Sequence, residues 1–451
     1  IYENQFGFRK KHSTVHALST AVKSIAQSMN DKSHSIGLFI DFSKAFDTIK
    51  HEILLKKLEH YGIRGPALDL LTDYLSGRYQ YVSLDGSISD LQLISIGVPQ
   101  GSVLGPLLFI VYINDIINCV SDHEHCSQSV FVLFADDTNV FIRASSISDA
   151  QLIAESTLQC ISKYLFANYL HINIKKTKYV VFSPSAKNPP PCKIVLESTI
   201  LERVRSIKFL GIIIDEQLNW VKQTNSLICK LSKTCSTLRD LSCCLPKSLR
   251  PPVFNALVNS HISYGITVWG GNSVNLEKVF RTQKKCIRSL FKIPCRRKVK
   301  GSYIYGHTKH LFTGNSLLTA HNLYNYSMIS DAFKVIVSKA PVSYFETCYQ
   351  VSSVNPSRLI SSTCTLSSLS SNFHHMIPLL WNGFLAVNKI TKFSLCGFKS
   401  FKRSLKSFIV SMQSSFEPDE WHKFNNNLID YCNYLKFQCL ELPSNQPRVR
   451  H

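Results

Sequence analysis

The chain has no apolar run of the roughly 18 residues that a membrane-spanning helix needs. Its longest candidate, Val103 to Val120, is interrupted by Gly105, Pro106, Asn114 and Asp115. A membrane partner is therefore not expected. The 15 cysteines include no Cys-x-x-Cys pair, which removes the commonest framework of a zinc ribbon or knuckle. His123-Glu124-His125-Cys126 is a lone polar cluster without a second pair and reads as a loop. Internal repeats and heptad arrays are absent, so solenoids and coiled coils are excluded. The opening Ile1-Tyr2-Glu3-Asn4 lacks the features of a secretory signal. The cysteines are accordingly expected to be reduced thiols. Acid is also scarce: 30 Asp and Glu stand against 51 Lys and Arg in 451 residues, a net charge of +21. A balance this basic points to a polyanionic partner.

What is present begins with three aspartates. Asp41 ends the apolar run Gly37-Leu38-Phe39-Ile40, and Asp136-Asp137 follow Val130 to Phe134. Carboxylates in apolar surroundings repel one another and are costly to desolvate unless a cation lies between them. Acids delivered by two separate strands suit a pair of Mg²⁺ ions, which take oxygen ligands and leave positions for substrate phosphates. Two such ions clamp the attacking and leaving oxygens of a phosphoryl transfer. A nucleotidyl transferase is the reaction class these residues indicate. An isolated Asp-Asp pair would be an ordinary turn; Asp41 in a matching strand is what sets this pair apart.

The periodicity predicts a helix after Ser13 or Thr14, a buried strand over 36–42, and one helix over 45–61. A further helix over 67–75 and a hairpin closed at Asp85-Gly86 follow. Pro99-Gln100-Gly101 opens an apolar helix over 98–120. Short strands flank Asp136-Asp137, a helix runs over 147–170, and strands over 179–182 and 207–214 complete an α/β half ending near residue 218. Helices dominate thereafter, with a Ser-rich linker expected after 300 and an amphipathic helix over 397–410.

This order of motifs resembles the reverse transcriptase of LINE-type (non-LTR) retrotransposons, the jockey-like group in particular. The residues that carry the resemblance are Gln5-Phe6-Gly7-Phe8-Arg9, Asp41-Phe42-Ser43-Lys44-Ala45-Phe46-Asp47, Gly97 to Pro106, Phe134-Ala135-Asp136-Asp137, Asn173 with Lys176-Thr177, Phe209-Leu210-Gly211, and Ser263 to Gly270. The resemblance covers roughly residues 1–300 and implies an α+β, right-hand polymerase. Its expected parts are partial fingers (1–35), a palm with an antiparallel sheet and helices (36–218), an α-helical thumb (219–300) and a mainly α C-terminal region (301–451).

The implied activity is RNA-directed DNA synthesis, with an RNA template, a DNA primer and dNTPs as partners. Two Mg²⁺ ions are implied, with Mn²⁺ as a substitute, held by Asp41, Asp136 and Asp137. Lys176 would protonate the leaving pyrophosphate. Arg9 would bind triphosphate. Phe46 would lie under the sugar, where it collides with a 2′-OH. Gln100 and Gly101 would touch the incoming nucleotide or template. Nine basic residues and no acid over 281–300, among them Lys284, Lys285, Arg288, Arg296 and Arg297, would track a nucleic-acid backbone. Asp47 and Asp115 are left outside the site, and Ser121-Asp122-His123 is set aside as coincidence. The family's earlier fingers motif and upstream endonuclease are not seen, so a partial reading frame is expected. An inactive remnant that binds nucleic acid non-specifically is the alternative, and a polymerase copying RNA into RNA a third. Nucleus or cytoplasm would be its compartment if expressed.

Overall fold

A computed structural model describes residues 1–120, 128–183, 191–294, 296–299, 302–305, 307–338, 350–351, 359–360, 381–382, 384–385 and 398–415. The His123–Cys126 cluster and the Ser121-Asp122-His123 triplet lie outside them. The fold is α+β, and the chain divides into two compact units: 1–210 with 215–218, and 211–214 with 219–451.

In the first unit, helix α1 (Thr14–Asn30) is capped by Ser13, whose hydroxyl accepts from His16 N. Its apolar face, Leu18, Ala21, Val22 and Ile25, is almost wholly buried. Strand β1 (His34–Ile40) follows. The single helix expected over 45–61 is divided. Lys44 takes a left-handed φ of 50° and is followed by a 3₁₀ turn over Ala45–Asp47. Helix α2 begins only at His51 and ends at His60. The reason is tertiary: Gly97 N donates to Ile49 O at 2.8 Å, and Lys50 bridges Ile96. Backbone groups that would have extended the helix are used by a distant strand-like segment.

Helix α3 (Pro66–Leu75) precedes a narrow ribbon of β2 (Tyr79–Gln80), β3 (Ser83–Leu84), β4 (Ser87–Ile88) and β5 (Gln92–Leu93). At its tip Asp85 (φ 48°) and Gly86 (φ 81°) are both left-handed, the turn geometry whose twist matches paired strands. The apolar stretch expected as one helix over 98–120 is α4 (Gly105–Tyr112) followed by a 3₁₀ segment over Asn114–Val120.

Strands β6 (Ser129–Phe134) and β7 (Asp137–Ala144), helix α5 (Ile147–Ala167) and strand β8 (Lys178–Phe182) complete the centre. Three short strands follow: β9 (Val195–Leu196), β10 (Thr199–Ile200) and β11 (Glu202–Arg203). The main sheet has the order β11-β8-β1-β7-β6. All its neighbours are antiparallel except β11 and β8. One face, with Ile36, Leu38, Ile40, Val140 and Ile142, packs with Ile153, Ala154, Leu158 and Ile161 of α5. The other carries Phe39 edge-on to Phe141 at 5.8 Å. Each such fully buried side chain contributes about 1.5–3 kcal/mol. The strand expected over 207–214 is broken into β12 (Ser206–Phe209) and β13 (Ile212–Asp215). Leu210 (φ 44°) and Gly211 (φ 84°) both turn left-handed between them.

The second unit is mainly helical: α6 (Val221–Cys244), α7 (Arg250–Phe254), α8 (Ser260–Ser263), α9 (Ile266–Trp269), α10 (Ser273–Phe291), α11 (Lys309–Gly314), α12 (Ala320–Ser338) and α13 (Phe398–Ser415). Between α10 and α11 lies a hairpin of β14 (Arg296–Val299) and β15 (Ser302–Tyr305). The amphipathic helix expected over 397–410 corresponds to α13. Buried Gln283 ties three segments together. Its amide donates to Asn259 Oδ1 (2.9 Å) and Leu318 O (3.0 Å), and its oxygen accepts from Ala320 N (2.8 Å). The helices on either side of residue 300 thus share one core.

His321 at the start of α12 is 3% exposed, with neither ring nitrogen hydrogen-bonded. Glu277 Oε2 lies 3.9 Å from Nε2, too far for a hydrogen bond. Desolvation first, and then the Lys284 ammonium, push its pKa from 6.5 down to about 4. Between those values the unfolded chain binds more protons than the folded one, so stability falls as the pH drops through that window. Urea unfolding of the second unit should therefore show a loss of about 2 kcal/mol between pH 7 and pH 4.5 that His321→Leu abolishes. Equal losses in both proteins would refute the assignment.

Candidate active site

The antiparallel register builds the site. Strand β1 pairs with β7 from His34↔Ala144 to Ile40↔Thr138. One step further brings Asp41 opposite Asp137. Strand β6 pairs with β7 up to Phe134↔Asp137, so Ala135 and Asp136 alone form the turn. All three aspartates thus meet at one end of the sheet. Asp41 is further tied to the 173–177 turn: Asn173 N donates to Asp41 O at 2.8 Å, and Asp41 N donates to Thr177 Oγ1 at 3.3 Å. Thr177 is fully buried, whereas Lys176 beside it is exposed. The turn delivers the Lys176 ammonium to 3.8 Å from Asp41 Oδ2.

The electrostatics are those of crowded acids. The Asp137 carboxyl is pushed up to about 6, by desolvation first and then by Asp136 and Asp41. Asp136 is raised too, by desolvation first, with Asp41 adding. Asp41 Oδ2 is shielded from solvent and has no hydrogen-bond donor. Among the described residues, no three His, Cys, Asp or Glu side chains converge tightly enough to enclose an ion by themselves. The donor set nevertheless fits a hard cation. It consists of carboxylate oxygens only, one of them lacking a hydrogen-bond donor, and burial and the neighbouring acids raise the pKa of Asp136 and Asp137. Positions that protein does not fill are those a Mg²⁺ ion gives to water and phosphate.

The other expected residues have contacts of their own. Phe46 is half-buried and stacks on Phe109 with ring centroids 4.5 Å apart. It is propped from the core side by that ring. Gln100 and Gly101 are exposed. Gly101 has φ 82°, and nothing lies within 4 Å of where a Cβ would stand. Backbone of that kind admits close approach by another molecule. Gln100 Nε2 donates to Asp47 Oδ1 at 2.9 Å. By its spacing from Lys44 and His51, Asp47 reads as a surface or helix-end acid, and nothing local links it to Gln100, 53 residues on. Arg9 has a structural commitment: its Nη1 donates to the carbonyls of Tyr2 (2.8 Å), Glu3 (3.2 Å) and Gln5 (3.0 Å). Desolvation lowers its basicity, and Glu3 opposes this.

In the second unit Lys278, Arg281, Lys285 and Lys292 are exposed along α10 and its C-cap, at spacings of three, four and seven that place them on one face. Lys284 is less available. Its ammonium lies 4.3 Å from the Phe280 ring centroid, and desolvation lowers its pKa. Arg288 is half-buried in the last turn. Arg296 and Arg297 lie in β14, and their side chains are outside the described part. The glycine-bearing motifs at 211 and 265 come together: Tyr264 Cε1 is 3.1 Å from where a Gly211 Cβ would stand, and Ile212 Cδ1 equally close to that of Gly265.

Residues 1–214 match the model of the family described as reverse transcriptase (RNA-dependent DNA polymerase). That segment is a reverse transcriptase domain. Curated relatives define it more narrowly, all three from Drosophila melanogaster. A probable RNA-directed DNA polymerase from transposon X-element is 30% identical over 272 residues, covering 59% of this chain and 29% of the relative. Its counterpart from transposon BS is 27% identical over 314 residues, 68% and 34% of the two chains. The RNA-directed DNA polymerase from mobile element jockey is 27% identical over 300 residues, 64% and 32%. By these matches the chain is similar to the reverse transcriptases of LINE-type (non-LTR) retrotransposons. The chain spans about a third of the length of these relatives. Among solved structures, telomerase from Candida tropicalis aligns with 88% of this chain and 52% of its own at 10% identity and a TM-score of 0.38, a likeness too slight to carry an argument.

Proposed function

We propose that this chain extends a DNA primer on an RNA template, joining dNTPs to the primer 3′-OH by two-metal nucleotidyl transfer. The observation that carries the reading is the β1–β7 register, which sets Asp41 against the 136–137 turn and leaves one of its oxygens without a donor. In this reading residues 1–35 belong to the fingers, 36–218 to the palm, 219–300 to the thumb, and 301–451 form a C-terminal region.

Asp41 and Asp136 would hold two Mg²⁺ ions, with Asp137 adding charge beside them; Mn²⁺ has the same ligand preference. Bound there, the ions would supply Lewis-acid stabilisation of the attacking and leaving oxygens. The protein's own groups do the rest. Lys176, with its ammonium 3.8 Å from Asp41 Oδ2, would protonate the departing pyrophosphate. Phe46, braced by Phe109, forms a floor under the sugar that has no room for a 2′-OH. Asp47 orients Gln100 toward the nucleotide or template strand, and Gly101 lets that strand approach. Phosphate contact by Arg9 would use the nitrogens of its fork left after Nη1 has bound the loop carbonyls.

Template and primer would lie along the basic face of α10, with Lys285, Arg296 and Arg297 among their backbone contacts and the half-buried Lys284 and Arg288 adding positive charge. The test is extension of oligo(dT) on poly(rA) by the purified chain with dTTP and Mg²⁺. Failure to extend, with binding retained at low salt, would instead favour a remnant that only holds nucleic acid. Affinity for this duplex should also fall steeply with salt, because each neutralised phosphate releases counterions. Lys285→Ala should flatten the slope of log K against log[salt] by about 1 in fluorescence anisotropy titrations. An unchanged slope would remove Lys285 from the interface.

A further inference from the structure

The turn that carries Asp136 is gripped from outside the hairpin that forms it. Gln5 is 1% exposed, and its Oε1 accepts from Ala135 N at 3.1 Å and from Gly7 N at 2.9 Å. Its Nε2 is buried without an acceptor, so the side chain is kept there for its oxygen alone. Ala135 has φ 56°, a conformation that costs a non-glycine residue and persists only where surroundings hold it. The grip is close. A Cβ on Gly7 would lie 2.5 Å from Ala135 N, so only glycine lets the segment come this near. The segment is aligned along β6 by Phe6 N donating to Leu133 O (2.8 Å) and Leu133 N to Asn4 O (2.9 Å). A two-residue hairpin turn closes without such help, and this one has it at the residue before Asp136.

We propose that Gln5 is a positioning residue for the metal site. Its side-chain oxygen locks the Ala135 N–H and so sets the direction in which the Asp136 carboxylate is presented. The inference deepens the two-metal reading above and rests on it. A metal ligand has to be held to within about 0.5 Å of its productive place. Without the lock, Ala135 can leave its left-handed conformation, and Asp136, repelled by Asp41 and Asp137, turns away with it.

The experiment uses the full chain, Mn²⁺ as the probe and three variants. Gln5→Met keeps length and apolar packing but removes the acceptor. Gly7→Ala disturbs the same contact from another atom. Leu18→Ala opens a cavity at a fully buried position of α1, outside the hydrogen bonds that Gln5 makes, and serves as a control for lost stability. Mn²⁺ affinity is measured by electron paramagnetic resonance without nucleotide, and extension is measured across a Mg²⁺ titration. Gln5→Met and Gly7→Ala are expected to weaken Mn²⁺ binding about tenfold or more, as loss of a ligand's support commonly does. They should raise the half-saturating Mg²⁺ concentration in parallel and leave template–primer affinity within about twofold. Leu18→Ala should bind Mn²⁺ like the wild type. Wild-type Mn²⁺ affinity in Gln5→Met and Gly7→Ala, or an equal loss in Leu18→Ala, would overturn the role of Gln5. A wild-type chain that takes up no Mn²⁺ would overturn the two-metal reading beneath it, a different and separable failure.

Discussion

Asp136→Ala is expected to lower primer extension on poly(rA)/oligo(dT) by about 10³-fold or more, because several kcal/mol of charge stabilisation at the reacting phosphorus depends on that ligand. The substitution should cost little stability. Asp136 is exposed at the tip of a two-residue turn, and its carboxylate is destabilised there by desolvation and by Asp41. Removing it relieves repulsion in the metal-free protein, so the thermal midpoint should stay level or rise slightly. Template–primer affinity should persist, since the basic face of α10 is untouched. Single-turnover extension, a melting curve and an anisotropy titration on the same preparation check all three. Extension within about tenfold of wild type would remove Asp136 from the chemistry, given the rate that a lost metal contact should cost.

Phe46→Val is expected to relax discrimination between dNTPs and rNTPs by about 10²-fold, the scale on which shape alone separates substrates differing by one hydroxyl. The ring lies in the 3₁₀ turn directly after the Asp41 segment and is stacked on fully buried Phe109. It therefore cannot retreat from a ribose. Valine would leave space above Phe109 while keeping an apolar floor. The change should appear as a higher kcat/KM for rNTPs with dNTP use lowered only severalfold. Phe109→Leu, which removes the brace and not the floor, should give a smaller shift in the same direction. Unaltered selectivity in Phe46→Val would return Phe46 to a purely core role, which its packing against the cluster around α4 also supports.

Much of this site was legible before any coordinates. Asp41 and Asp136-Asp137 announce themselves because acids at the ends of apolar, strand-length runs are rare and costly. Ser13 as a cap and Asp85-Gly86 as a hairpin tip were readable for the same reason: capping and left-handed turns are decided within four residues. The helix over 45–61 misled, because its apolar spacing is helical throughout. Only Gly97 and Ile96, almost fifty residues away, take the backbone groups at 49 and 50. The strand over 207–214 misled similarly, since its apolar run conceals two consecutive left-handed residues. Asp47 stood outside the expected site, and only the fold brings Gln100 into hydrogen-bond contact with it. Arg9 looked like a phosphate ligand, and one of its nitrogens proves to be holding the loop at 2–5.

By itself, then, the order of residues determined the chemistry on offer: oxygen ligands for a hard cation, a lysine beside them, an aromatic one turn on, and a surplus of positive charge. Those are properties of side chains and of short windows of backbone. Tertiary structure alone decided which of them meet. Strand register, the loss of helix at 48–50, the Asp47–Gln100 bond and the hold of Gln5 on Ala135 all depend on hydrogen-bond partners tens of residues distant. Sheet pairing is settled by such non-local competition and not by propensity within the strand.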